Sequence, residues 1–115
     1  EGSKIGTAEI RDSVVGIRSV IQAGCVLDGA LVMGNDVYET ETEQAAAHLR
    51  GLPPLGIGEG TVIRRAIIDK NTRIGAKVTI VNEKSVQEED GEQHYIRDGI
   101  VIVPKNAVIP DGTVI

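Results

Sequence analysis

An all-β fold, a single-stranded left-handed parallel β-helix of hexapeptide repeats, is what this sequence predicts, and three observations predict it. Across residues 62–86 a branched aliphatic residue returns at every sixth position: Val62, Ile68, Ile74, Ile80 and Val86. Small or β-branched residues come four positions later, at Ala66, Thr72 and Val78. An amphipathic helix would space its apolar residues by three and four, and a lone strand would alternate; period six fits a coil of short strands joined by tight turns. Composition is the third observation: no Phe, no Trp, two tyrosines and 14 glycines in 115 residues. A narrow prism filled by stacked Ile, Val and Leu has no room for rings on its axis, and a turn every few residues calls for glycine. The left hand is assigned from the hexapeptide pattern, against the usual right-handed crossover rule, because right-handed β-helices have longer and less regular repeats.

One domain is expected over residues 1–115, with insertions at about residues 35–54 and 83–99. Glu1 to Glu9 holds a partial hexad around Ile5-Gly6, out of phase with the hexads after it, so a short turn is expected near Thr7 to Glu9. From Val15 the register runs Val15, Ile21, Leu27, Met33, with Ser13, Ser19 and Cys25 as small companions at the corner. Leu31 and Val37 are larger at that companion position, as though the coil loosens before the first insertion. Within that insertion Glu43 to Arg50 is expected to make two turns of helix, with Thr42 as N-cap and Gly51 as the stop. Pro53-Pro54 then imposes an extended return. The prism resumes at Ile57-Gly58 and shifts by one residue before the central stretch. Glu88 to His94 reads as a solvated turn or short β-excursion bending at Gly91. Two near-copies of one hexad, Val103-Pro-Lys-Asn-Ala-Val and Ile109-Pro-Asp-Gly-Thr-Val, lead to Ile115. Their prolines fix φ at a corner where no ladder donor is needed. Opening at Glu1 inside a repeat, the chain reads as the C-terminal piece of a longer protein.

Charge and cysteine content narrow the function. A net charge of -5 argues against a nucleic-acid groove, which needs clustered cations. No apolar run approaches the roughly 20 residues of a membrane-spanning helix. The single cysteine, Cys25, cannot form an intrachain disulfide, which fits a reducing cytosol or plastid.

A catalytic set is not apparent. His48 and His94 fall in separate polar excursions, where a surface histidine is the simpler reading, and two histidines cannot complete a three-histidine metal site. Cys25 is most simply a small corner residue. The cations carry more. Lys70 and Lys105 each come two residues after an inward aliphatic, Ile68 and Val103, at a turn. Arg64, Arg65 and Arg73 also lie at or near corners. Corners of successive coils stack about 4.8 Å apart, so such cations can converge on one phosphate or carboxylate. Corners also face water and collect charge for no other reason, and spacing alone favours that explanation.

Several motifs resemble a known family. Val14 to Ser19 (VVGIRS), Leu31 to Thr40 (LVMGNDVYET), Ile63 to Gly75 (IRRAIIDKNTRIG), Asn82 to Glu88 (NEKSVQE) and Arg97 to Ile115 are similar to the C-terminal domain of glucose-1-phosphate adenylyltransferase, or ADP-glucose pyrophosphorylase, of the plant and cyanobacterial type. The resemblance runs in order over nearly the whole chain. It implies a left-handed β-helix that supports assembly with identical or related subunits into a tetramer. It also implies an N-terminal catalytic domain, absent here, that makes ADP-glucose and pyrophosphate from ATP and glucose 1-phosphate with Mg²⁺, for glycogen or starch synthesis. No cofactor and no catalytic residue are expected in this domain. The effectors it implies are 3-phosphoglycerate as activator and phosphate as inhibitor. The two activator lysines match Lys70, in the IIDKN motif, and Lys105, in the last coil, with Arg64, Arg65 and Arg73 as weaker candidates. A bacterial cytoplasm or a plastid is the expected location. Two other readings, a hexapeptide-repeat acyltransferase using His48 or His94 and a pure oligomerisation scaffold, stay open.

Overall fold

The computed structural model describes residues 3–115; Glu1 and Gly2 of the first partial hexad lie outside the described residues. Three parallel ladders wrap one apolar axis. The first coil consists of β1 (Lys4–Ile5), β2 (Glu9–Arg11) and β3 (Val14–Val15). The second consists of β4 (Val20–Ile21), β5 (Val26–Asp28) and β6 (Leu31–Val32). A helical excursion carrying α1 (Glu41–Leu49) comes next, and the third coil resumes with β7 (Gly56–Ile57), β8 (Val62–Arg64) and β9 (Ala66–Ile68). The fourth begins with β10 (Arg73–Ile74) and β11 (Thr79–Ile80). It is interrupted by a hairpin of β12 (Glu88–Asp90) and β13 (Tyr95–Arg97), and closes with β14 (Ile100–Val103). A fifth opens with β15 (Val108–Ile109). Each face is one sheet: β1-β4-β7-β10-β15, then β2-β5-β8-β11, then β3-β6-β9-β14 with the hairpin added antiparallel at its edge.

Inward aliphatic residues stack coil on coil. Ile21, Ile57, Ile74 and Ile109 are in register on the first face, none more than 2% exposed. Leu27, Ile63 and Ile80 fill the second face, and Val32, Ile68 and Val103 the third. Each such side chain contributes about 1.5–3 kcal/mol by leaving water. Of the expected small companions, Ser19, Cys25, Ala66, Thr72 and Val78 are buried and Ser13 is partly so, and Thr61 is a further buried one. Hydroxyl and thiol groups among them satisfy backbone carbonyls. Thr61 Oγ1 donates to the Gly75 carbonyl (2.9 Å) and Cys25 Sγ to that of Gly58 (3.1 Å).

Register differs from strict period six in two places. Val32 faces the core, whereas Met33 is 40% exposed; Ile63 faces the core, and Val62 only lines the outer side. The cause is a five-residue step between the second and third faces, Leu27 to Val32 and Ile63 to Ile68. It turns through Gly29 (φ 68°) and Arg65 (φ 51°), which occupy the same corner of adjacent coils. The same step makes Ala30 the corner companion and leaves Leu31 exposed, while Val37 is exposed in the first insertion. Val86 is only partly buried and packs on the core from within the second insertion.

Helix α1 starts two residues earlier than Thr42 would place it. Thr40 is the N-cap: its hydroxyl accepts the Glu43 N–H (3.1 Å) while Glu43 Oε1 accepts the Thr40 N–H (2.8 Å), a reciprocal capping box. Glu41 and Glu43 in the first turn also complement the positive end of the helix. Gly51 ends it in a left-handed conformation (φ 75°).

Coil spacing leaves no room at Gly58, where an added Cβ would overlap the Gly75 carbonyl of the next coil. Gly58→Ala should therefore destabilise the domain by roughly 1–3 kcal/mol, as overpacking does. Denaturant unfolding with unchanged stability would show that the coils can spread there.

Candidate functional site

The corner between the third and first faces brings the predicted lysines together. Val103 pairs with Ile68 in the ladder, and the Asp69 N–H donates to the Val103 carbonyl (2.9 Å). One step on, the Asn106 N–H donates to the Lys70 carbonyl (3.1 Å), which sets Lys105 over Lys70 on adjacent coils. Below them the Asn71 N–H donates to the Gly34 carbonyl (3.2 Å), and the Asn35 N–H to that of Ile17 (3.1 Å). Arg18, Gly34, Asn71 and Asn106 all turn this edge with positive φ, between 54° and 89°. Asparagine tolerates that conformation better than most residues, which accounts for the Lys-Asn pairs at both lysines.

An acidic residue of the first insertion also stands at the corner. Asp36 Oδ1 lies 3.4 Å from Lys70 Nζ, and Asp36 Oδ2 accepts from Asn71 Nδ2 (2.9 Å). The Asp36 N–H donates back to Asn71 Oδ1 (2.9 Å). The Asn71 hydrogen bond first, and Lys70 next, hold the Asp36 carboxyl below its usual value, with the Lys105 charge adding to the effect. Lys105 has no ion-pair partner within 4.0 Å among the described residues.

The arginines are placed differently. Arg73 starts β10, where its guanidinium donates to Glu39 Oε2 (2.7 Å) and to the Pro53 carbonyl (2.9 Å). The Glu39 side chain is 6% exposed, and its other oxygen accepts the Leu55 N–H (2.8 Å). This residue thus fastens both arms of the first insertion to the first face. Arg64 and Arg65 sit at the corner between the second and third faces, away from the lysines, with Arg64 in register on Asp28.

Among the described residues no group of three or more His, Cys, Asp or Glu side chains is arranged to hold a metal, and no helix is long and apolar enough to cross a membrane. His48 borders a groove of about 740 Å³ beside Pro53, Pro54 and Asp111. His94 lies in the hairpin turn, its ring against Gly91, and borders a different hollow of about 330 Å³ near Ile115. Burial pushes the Cys25 thiol up, away from the thiolate form that nucleophilic chemistry needs.

The model of the GLGC left-handed parallel beta-helix domain matches residues 1–114. The chain belongs to that family. It is the family of the C-terminal domain of glucose-1-phosphate adenylyltransferase, a nucleotidyltransferase, and its coils are left-handed. In this GLGC domain the Arg73–Glu39 pair is the most buried ion pair between the first insertion and the prism among the described residues. Arg73→Ala would leave Glu39 buried without its counter-ion, at a cost of about 3 kcal/mol. Faster amide exchange and easier proteolysis over residues 36–55 are the expected result; unchanged protection would mean that α1 is held by packing alone.

Proposed function

We propose that this GLGC domain is the regulatory and assembly module of its adenylyltransferase, and that the Lys70–Lys105 corner receives small anionic effectors at the seam with the catalytic domain. The observation that carries this reading is the stacking of two solvent-facing lysines on adjacent coils, in the motifs that match the family's activator lysines. Two ammonium groups at one edge can donate to the same phosphate or to the phosphate and carboxylate of one small molecule. The IIDKN motif supports 3-phosphoglycerate as activator and phosphate as its antagonist. Pro104 precedes Lys105 where the family more often has an aliphatic residue, so the ligand class is best stated as a phosphorylated sugar acid. Regulation results if the effector binds one state of the enzyme more tightly than another. The reaction regulated is the formation of ADP-glucose and pyrophosphate from ATP and glucose 1-phosphate, for glycogen or starch synthesis in a bacterial cytoplasm or a plastid. Mg²⁺ and ATP belong to the catalytic domain in this reading.

In the full-length enzyme, Lys70→Ala and Lys105→Ala should each raise the half-activating 3-phosphoglycerate concentration by roughly tenfold, the weight of one charge-assisted hydrogen bond. Effector titration of both variants checks this. Activation constants equal to that of the parent enzyme would remove the corner from regulation.

A specific surface feature supports the assembly role. Val14, Leu31, Ile67, Ile102 and Tyr95 form one row across five strands on the outside of the third face. Val14 is 64%, Leu31 39% and Tyr95 41% exposed, on a side of the sheet that water would ordinarily keep polar. The row fits contact with identical or related subunits in a tetramer. Leu31→Glu should shift the full-length enzyme to smaller species in sedimentation velocity. An intact tetramer would exclude this face from the subunit interface.

A further inference from the structure

We infer that Asp36 is a built-in rival for the anion at the Lys70–Lys105 corner, a carboxylate that must leave before an effector oxygen can take its place. This rests on the effector reading above and adds a residue to it. The position of Asp36 is set by its neighbours. Asn35, 5% exposed, donates through Nδ2 to the Arg18 carbonyl (2.7 Å), and Arg18 Nε donates to the Asn35 carbonyl (3.0 Å). With residue 35 locked into the coil, residue 36 has to emerge at the edge where Lys70 stands. Asn71 then holds it by two reciprocal hydrogen bonds, amide to Asn71 Oδ1 and carboxylate to Asn71 Nδ2, each 2.9 Å.

The carboxylate therefore occupies the donors that an incoming phosphate or carboxylate would use. Lys70 Nζ and Asn71 Nδ2 both point at it, and the positive field of Lys105 reaches it from the next coil. The contact is also of a kind that can be displaced. Asp36 and Lys70 are 51% and 45% exposed, so water screens their attraction and a doubly or triply charged ligand competes with it easily. Once freed, the Asn71 amide becomes a donor to the ligand. Asn71 would thus change partners when the effector binds, and the first residues of the insertion would be released from the prism.

The test uses the full-length enzyme with 3-phosphoglycerate and inorganic phosphate as probes. Asp36→Asn keeps the size of the side chain and its acceptor oxygen for Asn71 but removes the charge. Both probes should then half-saturate at concentrations lower by roughly twofold to fivefold, the range that exposed charge pairs carry. The gain should shrink when Asp36→Asn is combined with Lys70→Ala, because the two side chains act on one ligand position. Adding phosphate to the parent enzyme should also speed amide exchange at residues 36–38.

Unchanged or weaker binding in Asp36→Asn, with Lys70→Ala and Lys105→Ala still impaired, would overturn the rivalry and leave the lysine site standing. Normal activation in both lysine variants would overturn the site and the rivalry together. Exchange at residues 36–38 that slows on adding phosphate would also count against displacement, since it would mean that the loop closes over the ligand.

Discussion

Everything in this molecule depends on coil-to-coil register. Parallel strands about 4.8 Å apart bring each inward aliphatic onto its counterpart one coil away, and a one-residue slip would turn the whole set outward. The five-residue step between the second and third faces recurs in the first three coils, and in the fourth the hairpin insertion takes its place. Ile10 to Val15, Leu27 to Val32 and Ile63 to Ile68 all take it, so the ladders of these coils stay aligned. A coil that took six residues there, with no insertion to absorb the extra one, would carry its third-face strand out of line with Val32 and Ile68. The register thus constrains the corner backbone, including positive φ at the non-glycine residue Arg65. It also places Lys70 beside Lys105, although 35 residues separate them in sequence.

Insertions are compatible with such a strict register only where their two ends are fastened. At the second insertion one side chain does this: Asn82 Nδ2 donates to the carbonyls of Val86 and Gly99, and its Oδ1 accepts the Val86 N–H. The hairpin beyond it is held by Arg97, which lies 2.6 Å from Asp90 and also faces Glu88. At the first insertion Arg73 and Glu39 hold both arms, and the Asp36–Asn71 pair adds a second, more exposed point of attachment. These fastenings lie on residues that face away from the axis, so they leave the stacked core undisturbed.

The parts of this architecture that repeat were legible in the sequence, and the parts that do not repeat were not. Period six gives the stacked aliphatics at Ile68, Ile74 and Ile80 and the small corner residues, because each coil imposes the same steric demand at the same position. It misplaces Met33 and Val62, since a five-residue step changes which of two adjacent aliphatics turns inward, and both members of each pair are apolar. The helix cap was readable in principle: Thr40-x-x-Glu43 is a capping box, whereas Thr42 has Ala45 at the corresponding place. The two lysines could be picked out by their equivalent positions after Ile68 and Val103. Asp36 and Glu39 could not, because the path of an insertion across the prism is set by tertiary contacts that leave no periodic trace.

Rigidity and release are divided between the two attachments of the first insertion. The strands on either side of Lys70 and Lys105 are tied to each other by ladder hydrogen bonds, β9 to β14 and β10 to β15, so the lysine backbones have little freedom to move. A signal from that corner has to travel through something less firmly held, and the insertion is the adjacent candidate. Its Glu39–Arg73 attachment is largely withdrawn from water, at 6% and 21% exposure, and resists an anion arriving from solvent. Its Asp36 attachment is half exposed and lies on the lysines themselves. In the proposed mechanism an effector would therefore break the outer contact and leave the inner one intact, freeing residues 36–38 while α1 stays anchored. That ordering, an exposed carboxylate close to the ligand and a buried one behind it, is what allows a weak surface interaction to act as a switch without unfolding the loop.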